Sequence, residues 1–372
     1  MRTLALFLAA SLGASAAKWT MSLLHDEDES ALILRAIAFP TEQRGLAIGQ
    51  LTEKRGVTGV VLLTTDGGAK WETIRVKEDP VSISCVKEEI CWFVSVRGVW
   101  RSDEGGRAWK KIANLKGPLK VHFSSPTRGW AAGLAKSAWE TNDGGKTWKA
   151  IEKTKEISSN PDHAYFSAIA VNQNVGIIGG NSRAPRKEDD VTFPDWMQPE
   201  AAAKRREWPA VMILIETRDG GKTWNPSSNQ IFGNLTQIRI KPEGTGAAAL
   251  LEYFNNFEFP GELMWIDFRS GRSSSIMRSK DFAPTDHVLA AENRIVVAGI
   301  ENAALRALPV PQKVKFYEAT VNDATTTTAV WTSIPVDYRA VAKRVALGLS
   351  PNGVAWAVTD TGMILKLDPS AR

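Results

Sequence analysis

One eight-residue pattern occurs four times in this chain and constrains its fold more than any other feature. It reads TTDGGAKW at Thr64–Trp71, SDEGGRAW at Ser102–Trp109, TNDGGKTW at Thr141–Trp148 and TRDGGKTW at Thr217–Trp224. The shared form is S/T-x-D-x-G-x-x-W. Glu104 stands where the other copies carry Asp66, Asp143 and Asp219. Each copy follows an apolar run such as VVLLTTDGG and precedes a strand-like run such as WETIRV, which is the setting of a hairpin turn. Carboxylate and hydroxyl can bond the turn backbone, glycine admits positive φ, and Trp opens the next strand with a large apolar face. An acidic residue among glycines also occurs in metal loops, but a turn repeated once per unit needs no metal. The structural set is therefore Asp66, Gly68 and Trp71; Glu104, Gly106 and Trp109; Asp143, Gly145 and Trp148; Asp219, Gly221 and Trp224.

The spacing gives the architecture. Trp109 follows Trp71 by 38 residues, and Trp148 follows Trp109 by 39. Within one unit the pattern runs KVHFSS, RGWAAG, SAWETNDGG, TWKAI, which is four short strands. Four strands per roughly 40 residues make a β-propeller blade. LTQIRIKP, GAAALLEY and ELMWIDFRSG supply a fifth blade whose turn has decayed to Asp267, Arg269, Gly271 and Ser274. HVLAAE, RIVVAG, VKFYEATVN and VWTSIPV supply a sixth; RVALGLS, VAWAVTD and MILKLD supply three strands of a seventh. The missing strand is AKWTMSLL (Ala17–Leu24), which parallels AKWETIRV (Ala69–Val76). The expectation is an all-β, seven-bladed propeller spanning residues 18–372 as one domain, its last blade closed by the N-terminal strand.

The repeat resembles the Asp-box (BNR) repeat of sialidases, sortilin-type receptors, certain xyloglucanases and photosystem II assembly factors. The resemblance is closest to the exported Ycf48-like assembly factors and covers nearly the whole mature chain through GWAAG-like second strands and DGGKTW turns. It implies a seven-bladed propeller that helps a membrane complex assemble by binding a protein subunit. It does not establish a photosynthetic role. A sialidase-type resemblance would imply an arginine cluster, a Tyr nucleophile with a Glu partner and an Asp acid/base. The Arg-Ile-Pro expected before the first box is absent; the local sequence is Leu34-Arg35-Ala36-Ile37. The tyrosines are Tyr165, Tyr253, Tyr317 and Tyr338, and the loop carboxylates include Glu252, Glu258, Asp189, Asp190 and Asp195. No acid/base pair can be assigned from them. A sortilin-type receptor would need a membrane span and a cysteine-rich region that the sequence lacks.

Residues Met1–Ala17 (MRTLALFLAASLGASAA) have a charged start, a short apolar stretch and an Ala-x-Ala cleavage pattern, which predicts a signal peptide and a secreted or periplasmic product. Export permits a disulfide between Cys85 and Cys91, which face one another if Lys87-Glu88-Glu89 is a turn. The alternative is two buried thiols. A formal net charge of +5 without a run of like charges argues against nucleic acid. Two Cys and four scattered His argue against a zinc site, and no cofactor is expected.

In a four-stranded blade the loops between second and third strands emerge on the rim opposite the repeated turns. Insertions there are expected at Gln50–Gly59, 181–209, Phe254–Glu262 and 301–312. The longest, in blade 4, carries Arg183, Arg186, Lys187, Phe193, Trp196, Arg205, Arg206 and Trp208, and the blade 5 loop adds Phe257. Aromatics and Arg anchor protein interfaces, and aromatics also stack on sugars. These residues could equally form a lid packed on the propeller. The sequence therefore favours an exported, non-enzymatic, monomeric propeller that binds a protein partner, with carbohydrate binding or glycoside hydrolysis as the alternative.

Overall fold

A computed structural model describes residues 17–182, 200, 211–253, 259–290, 293–301, 310–321, 329–337 and 339–368. Seven antiparallel sheets form a ring. We letter the strands of each blade a to d from the channel outward. The innermost strands are 1a (Ala31–Ala38), 2a (Ser82–Cys85), 3a (Pro118–Phe123), 4a (Tyr165–Val171), 5a (Asn234–Ile240), 6a (Phe282–Leu289) and 7a (Val345–Leu349). Sheet order follows chain order in blades 1 to 6. In blade 7 the outer strand is the N-terminal segment Lys18–Leu24, paired antiparallel with Met363–Asp368. The seven-bladed expectation holds.

No blade has an interior of its own, because a single sheet has only two faces. The apolar side chains fall into seven clusters, each joining two neighbouring blades. One unites Leu34, Ala47 and Leu62 of blade 1 with Trp356 and Val358 of blade 7; another unites Trp92 and Val94 of blade 2 with Val121 and Phe123 of blade 3. Trp92 and Phe123 stack with centroids 3.7 Å apart.

The repeated turns are latches between blades. In the first, the Thr64 hydroxyl donates to the Asp66 carboxylate at 2.9 Å and accepts from the Gly68 amide at 2.9 Å. The carboxylate in turn accepts the Lys70 amide at 2.9 Å. Thr141–Asp143 and Thr217–Asp219 repeat this pattern. In the second turn Ser102 still holds the Gly106 amide at 2.9 Å. The second glycine faces a second-strand residue of the preceding blade: Gly68 meets Trp356, Gly106 meets Leu46 and Gly221 meets Trp130. Trp92 of blade 2 donates its indole N–H to the Gly144 carbonyl of blade 3 at 2.9 Å. A cation over each of three second-strand tryptophans also reaches the next turn. Arg128 lies 4.7 Å from the Trp130 ring and bonds the Gly221 carbonyl at 3.1 Å. Lys366 over Trp356 bonds Gly67, and Arg101 over Trp92 bonds Gly144.

The decayed fifth turn keeps its position. Strand 5c (Gly261–Asp267) ends at Asp267, where intact copies end at Thr or Ser, and its carboxylate takes over by accepting the Arg269 amide at 2.8 Å. Cys85 and Cys91 are paired residues of strands 2a and 2b (Cys91–Ser95), joined by a disulfide with Cα atoms 4.2 Å apart. One expectation fails. Gln50–Gly59 is not an inserted loop but the continuation of strands 1b (Gly45–Glu53) and 1c (Gly56–Thr64), which pair out to Glu53–Gly56 around Lys54 and Arg55. The β-branched run through Val57, Thr58, Val60 and Val61 favours the extended ladder.

Two predictions follow from the latches. Gly68 has φ +88° and no room for a Cβ beside Trp356, whereas Gly353 has φ +80° in open space. Gly353→Ala should lower the unfolding free energy by about 1 kcal/mol through backbone strain alone, and Gly68→Ala by about 3 kcal/mol, measured by urea denaturation. Burial alone would raise the Asp143 carboxyl, but hydrogen bonds from Thr147 and Thr141 outweigh it and bring it from its ordinary 3.8 to about 2. Bonding from the Lys70 amide and Thr64 lowers Asp66, and bonding from Thr223 and Thr217 lowers Asp219. Because the folded pKa is depressed, this stabilisation is complete above the unfolded value and is lost as pH falls through the folded one. Thermal midpoints should drop between about pH 4 and pH 2, and Asp143→Asn should flatten part of that drop.

Candidate functional site

Two regions stand out: the rim carrying the b–c turns, and the central channel. The sequence-expected binding residues Arg183, Arg186, Lys187, Phe193, Trp196, Arg205, Arg206, Trp208 and Phe257 all lie outside the described residues. The described strands still fix where they attach. The blade 4 segment leaves strand 4b (Gly176–Asn181) and returns into 4c (Val211–Thr217), so both its ends lie on the b–c rim.

Seven large hydrophobic side chains are exposed among the described residues, and six occupy that rim. Val57, Val96 and Leu134 sit at the b–c turns of blades 1, 2 and 3. Val310 precedes the third strand of blade 6 (Gln312–Thr320), Val341 lies in the link from blade 6 to blade 7, and Leu24 ends strand 7d. The seventh, Val330, is in the blade 6 c–d loop on the opposite rim. Val57 is 60% exposed and Val96 51%, so they are presented to solvent rather than grazing it. Arg55 and Arg97 flank these tips, exposed and without an ion pair among the described residues.

The rim is held rigid from beneath. Glu78, in the link from blade 1 to blade 2, accepts from Ser95, from the Trp100 indole at 3.1 Å and from Lys111 at 2.9 Å. The blade 3 b–c turn places Ala135 and Lys136 at φ 55° and 45°, a left-handed pair suited to a tight hairpin. The buried Lys136 ammonium then clamps the Ile157 and Ser159 carbonyls at 2.7 and 2.8 Å. In blade 5 the Tyr253 hydroxyl donates to Glu262 at 3.1 Å, and Arg278 donates to the same oxygen at 2.8 Å. This Tyr–Glu pair has the elements of a glycosidase nucleophile and base, but its environment works against that use. Burial, then the Glu262 charge, push the Tyr253 hydroxyl up to about 12, and the arginine occupies the carboxylate. Tyr165 accepts a bond from Asn234 at 3.0 Å, and Tyr317 packs edge-on to Phe282. Asp189, Asp190, Asp195, Glu258 and Tyr338 lie outside the described residues, as does the 302–309 part of the expected blade 6 loop.

The channel is lined by the a strands, which do not pair with one another but are laced by side chains. Ser82 and Ser84 accept the Val121 and Phe123 amides at 3.3 and 3.0 Å. His122 bonds the Val171 carbonyl at 2.6 Å, Ser167 donates to the Leu235 carbonyl at 2.7 Å, and Thr285 to that of Val345 at 2.9 Å. Arg35 pairs with Asp79. Asp286, only 2% exposed, accepts the His287 amide at 2.7 Å and the Leu347 amide at 2.8 Å, with Arg239 at 3.6 Å. Burial pushes its carboxyl up, and Arg239 and the Leu347 amide pull back. His287 is fully buried, and burial lowers it to about 3, which keeps it neutral.

Sequence reasoning placed no functional residue in the channel. The signal was present as charged and polar residues inside otherwise apolar first strands: Arg35 in LILRAI, Lys120 in PLKVHF, Arg239 in LTQIRI and Asp286 in PTDHVL. Among the described residues, no group of three or more His, Cys, Asp or Glu is placed to hold a metal ion, and no helix is long and apolar enough to cross a membrane.

No family model and no curated protein sequence matches the chain. Solved structures do match its shape. YCF48 from Cyanidioschyzon merolae superposes with a TM-score of 0.61 and 16% identity, covering 96% of this chain and 100% of that one. A structure described as YCF48 bound to D1 peptide gives 0.59 and 14%, covering 96% and 97%. The WD40 β-propeller domain of Doa1 gives 0.57 and 8%, covering 94% and 97%. At these identities the likeness is one of fold.

Asp286 carries the prediction here. Asp286→Ala frees two buried amides and leaves Arg239 without its carboxylate, so it should lower the unfolding free energy by about 3 kcal/mol. Asp286→Asn retains an acceptor and should lower it by less, both measured by urea titration.

Proposed function

We propose that the protein is an exported, non-enzymatic binding propeller that recognises a protein partner through the rim bearing the b–c loops. The observation that carries this reading is the one-sided placement of exposed apolar side chains: Leu24, Val57, Val96, Leu134, Val310 and Val341 share one rim. Exposed apolar groups gathered on one face mark interaction surfaces better than the same groups scattered. Arg55 and Arg97, exposed beside Val57 and Val96 and without an ion pair among the described residues, favour a partner segment that alternates apolar and acidic side chains. The blade 4 segment, whose sequence holds Arg183, Arg186, Phe193, Trp196, Arg205, Arg206 and Trp208, is attached to the same rim at both ends, and these are residue types that anchor interfaces.

Two further observations support parts of the reading. A propeller of the same shape, described as YCF48, has been solved bound to a peptide named D1. Export is supported by the sequence of Met1–Ala17 and by the Cys85–Cys91 disulfide, since disulfides persist in oxidising compartments.

The test is affinity capture from the compartment to which the protein is exported, with wild type and three variants of equal stability as baits. Val96→Glu with Leu134→Glu should remove the captured partner seen with wild type. Lys146→Glu with Lys222→Glu, on the opposite rim, should retain it. Loss with the second pair and retention with the first would overturn the proposed face. Deleting residues 181–209 should weaken capture at least tenfold, and an unchanged partner set would remove that segment from the interface.

A further inference from the structure

Among the described residues, two cations of the channel, Lys120 and Arg239, share one nearby carboxylate, Asp286. Lys120, in strand 3a, faces a cavity of about 370 Å³ also lined by Arg239, Asp286, His122, Gln237 and Lys241. No hydrogen bond or ion pair reaches the Lys120 ammonium among the described residues. Arg239 is weakly engaged: its shortest contacts are the Ile238 carbonyl at 3.3 Å, the Gln237 side chain at 3.4 Å and Asp286 at 3.6 Å. Lys120 is repelled by Arg239 and by Arg344, which itself reaches Glu252 only at 3.7 Å.

The single buried carboxylate in this group does not neutralise it. Each oxygen of Asp286 already accepts a backbone amide, from His287 and from Leu347. The Leu347 bond ties strand 6a to 7a, and the one negative charge of Asp286 faces two cations, Lys120 and Arg239. Lys120 faces the cavity without a partner among the described residues, and Arg239 faces it with only long contacts. Lys120 is partly buried, an ammonium without a partner there is costly, and desolvation brings it down to about 8 against the raising effect of Asp286. A group under that pressure is stabilised most by an anion placed between it and the neighbouring guanidinium.

We propose that the central channel is a binding site for a small oxyanion of phosphate size, held by the Lys120 ammonium and the Arg239 guanidinium. The cavity admits such an ion with part of its hydration shell, and Gln237 lies beside it as a further polar donor. The site lies among the inner strands rather than on the loop-bearing rim. It therefore does not depend on the identity of any protein partner.

The probe is inorganic phosphate, titrated calorimetrically into the full chain at pH 7 in low-chloride buffer, with thermal midpoints followed at constant ionic strength. Saturable binding of one phosphate per chain and a rise in the wild-type midpoint are expected. Lys120→Met and Arg239→Gln should each weaken binding at least tenfold, whereas Lys146→Met, on the exposed turn rim, should leave it unchanged. Lys120→Met should match or exceed the wild-type midpoint when phosphate is absent, because it removes an unpaired charge while keeping an unbranched side chain only one atom shorter. Absence of saturable binding to wild type would overturn the proposal. So would wild-type affinity in Lys120→Met, or equal weakening by Lys146→Met. None of these outcomes bears on partner capture at the rim, which is measured separately.

Discussion

Every blade in this protein depends on its neighbours to cover its faces. A four-stranded sheet packs nothing inside itself, and each of the seven apolar clusters belongs to two blades at once. Removing one blade would therefore expose two apolar surfaces, not one. Closure resolves this constraint, and the N-terminal strand makes it. Lys18–Leu24 pairs with Met363–Asp368, and Trp19 stacks on Phe316 of blade 6 with centroids 4.1 Å apart. Ser22 of the same strand accepts from the Trp71 indole at 2.9 Å and donates to the Gly68 carbonyl, so the first turn is fastened to the last blade.

The repeated turns carry that constraint around the ring. Their Asp and Thr shape the backbone, but the glycine and its carbonyl face outward from the turn, toward the Trp and cation of the preceding blade. This explains why the motif tolerates Glu104 in blade 2. Ser102 holds the Gly106 amide unaided, and Arg44 of blade 1 still bonds the Gly105 carbonyl at 3.2 Å. Blade 5 tolerates a further departure because Asp267 shapes its turn from a different position.

The features legible in the sequence were those set by local periodicity. Blade count, strand order and the position of the closing strand all follow from alternation and from a motif that marks one turn per unit. So does the partnership of Cys85 with Cys91 across a three-residue turn, once bonding rather than free thiols is established. The blade 1 extension is not legible because the Thr, Glu, Lys and Arg of Gln50–Gly59 read as loop, while the segment pairs with itself from Gln50–Gly59 to Glu53–Gly56. The grouping of the channel charges is not legible either. Lys120, Arg239 and Asp286 lie far apart in sequence, and only ring geometry brings them together. The tryptophans divide along the same line: Trp92, Trp130, Trp265 and Trp356 are fully buried in the ring, whereas Trp196 and Trp208 have no place in the blade repeat.

The molecule thus separates its surfaces by role. One rim is occupied by turns whose polar groups are consumed in joining blades. The other carries short anchored tips, with Val57, Val96 and Leu134 exposed, and the ends of strands 4b and 4c from which the blade 4 segment departs. The most direct test of that division is site-specific photocrosslinking in the native compartment, with the crosslinker placed either at position 96 on the loop-bearing rim or at position 146 on the turn rim. A discrete crosslinked species from position 96, absent from position 146, is the predicted result. A species formed from position 146 alone would contradict the account.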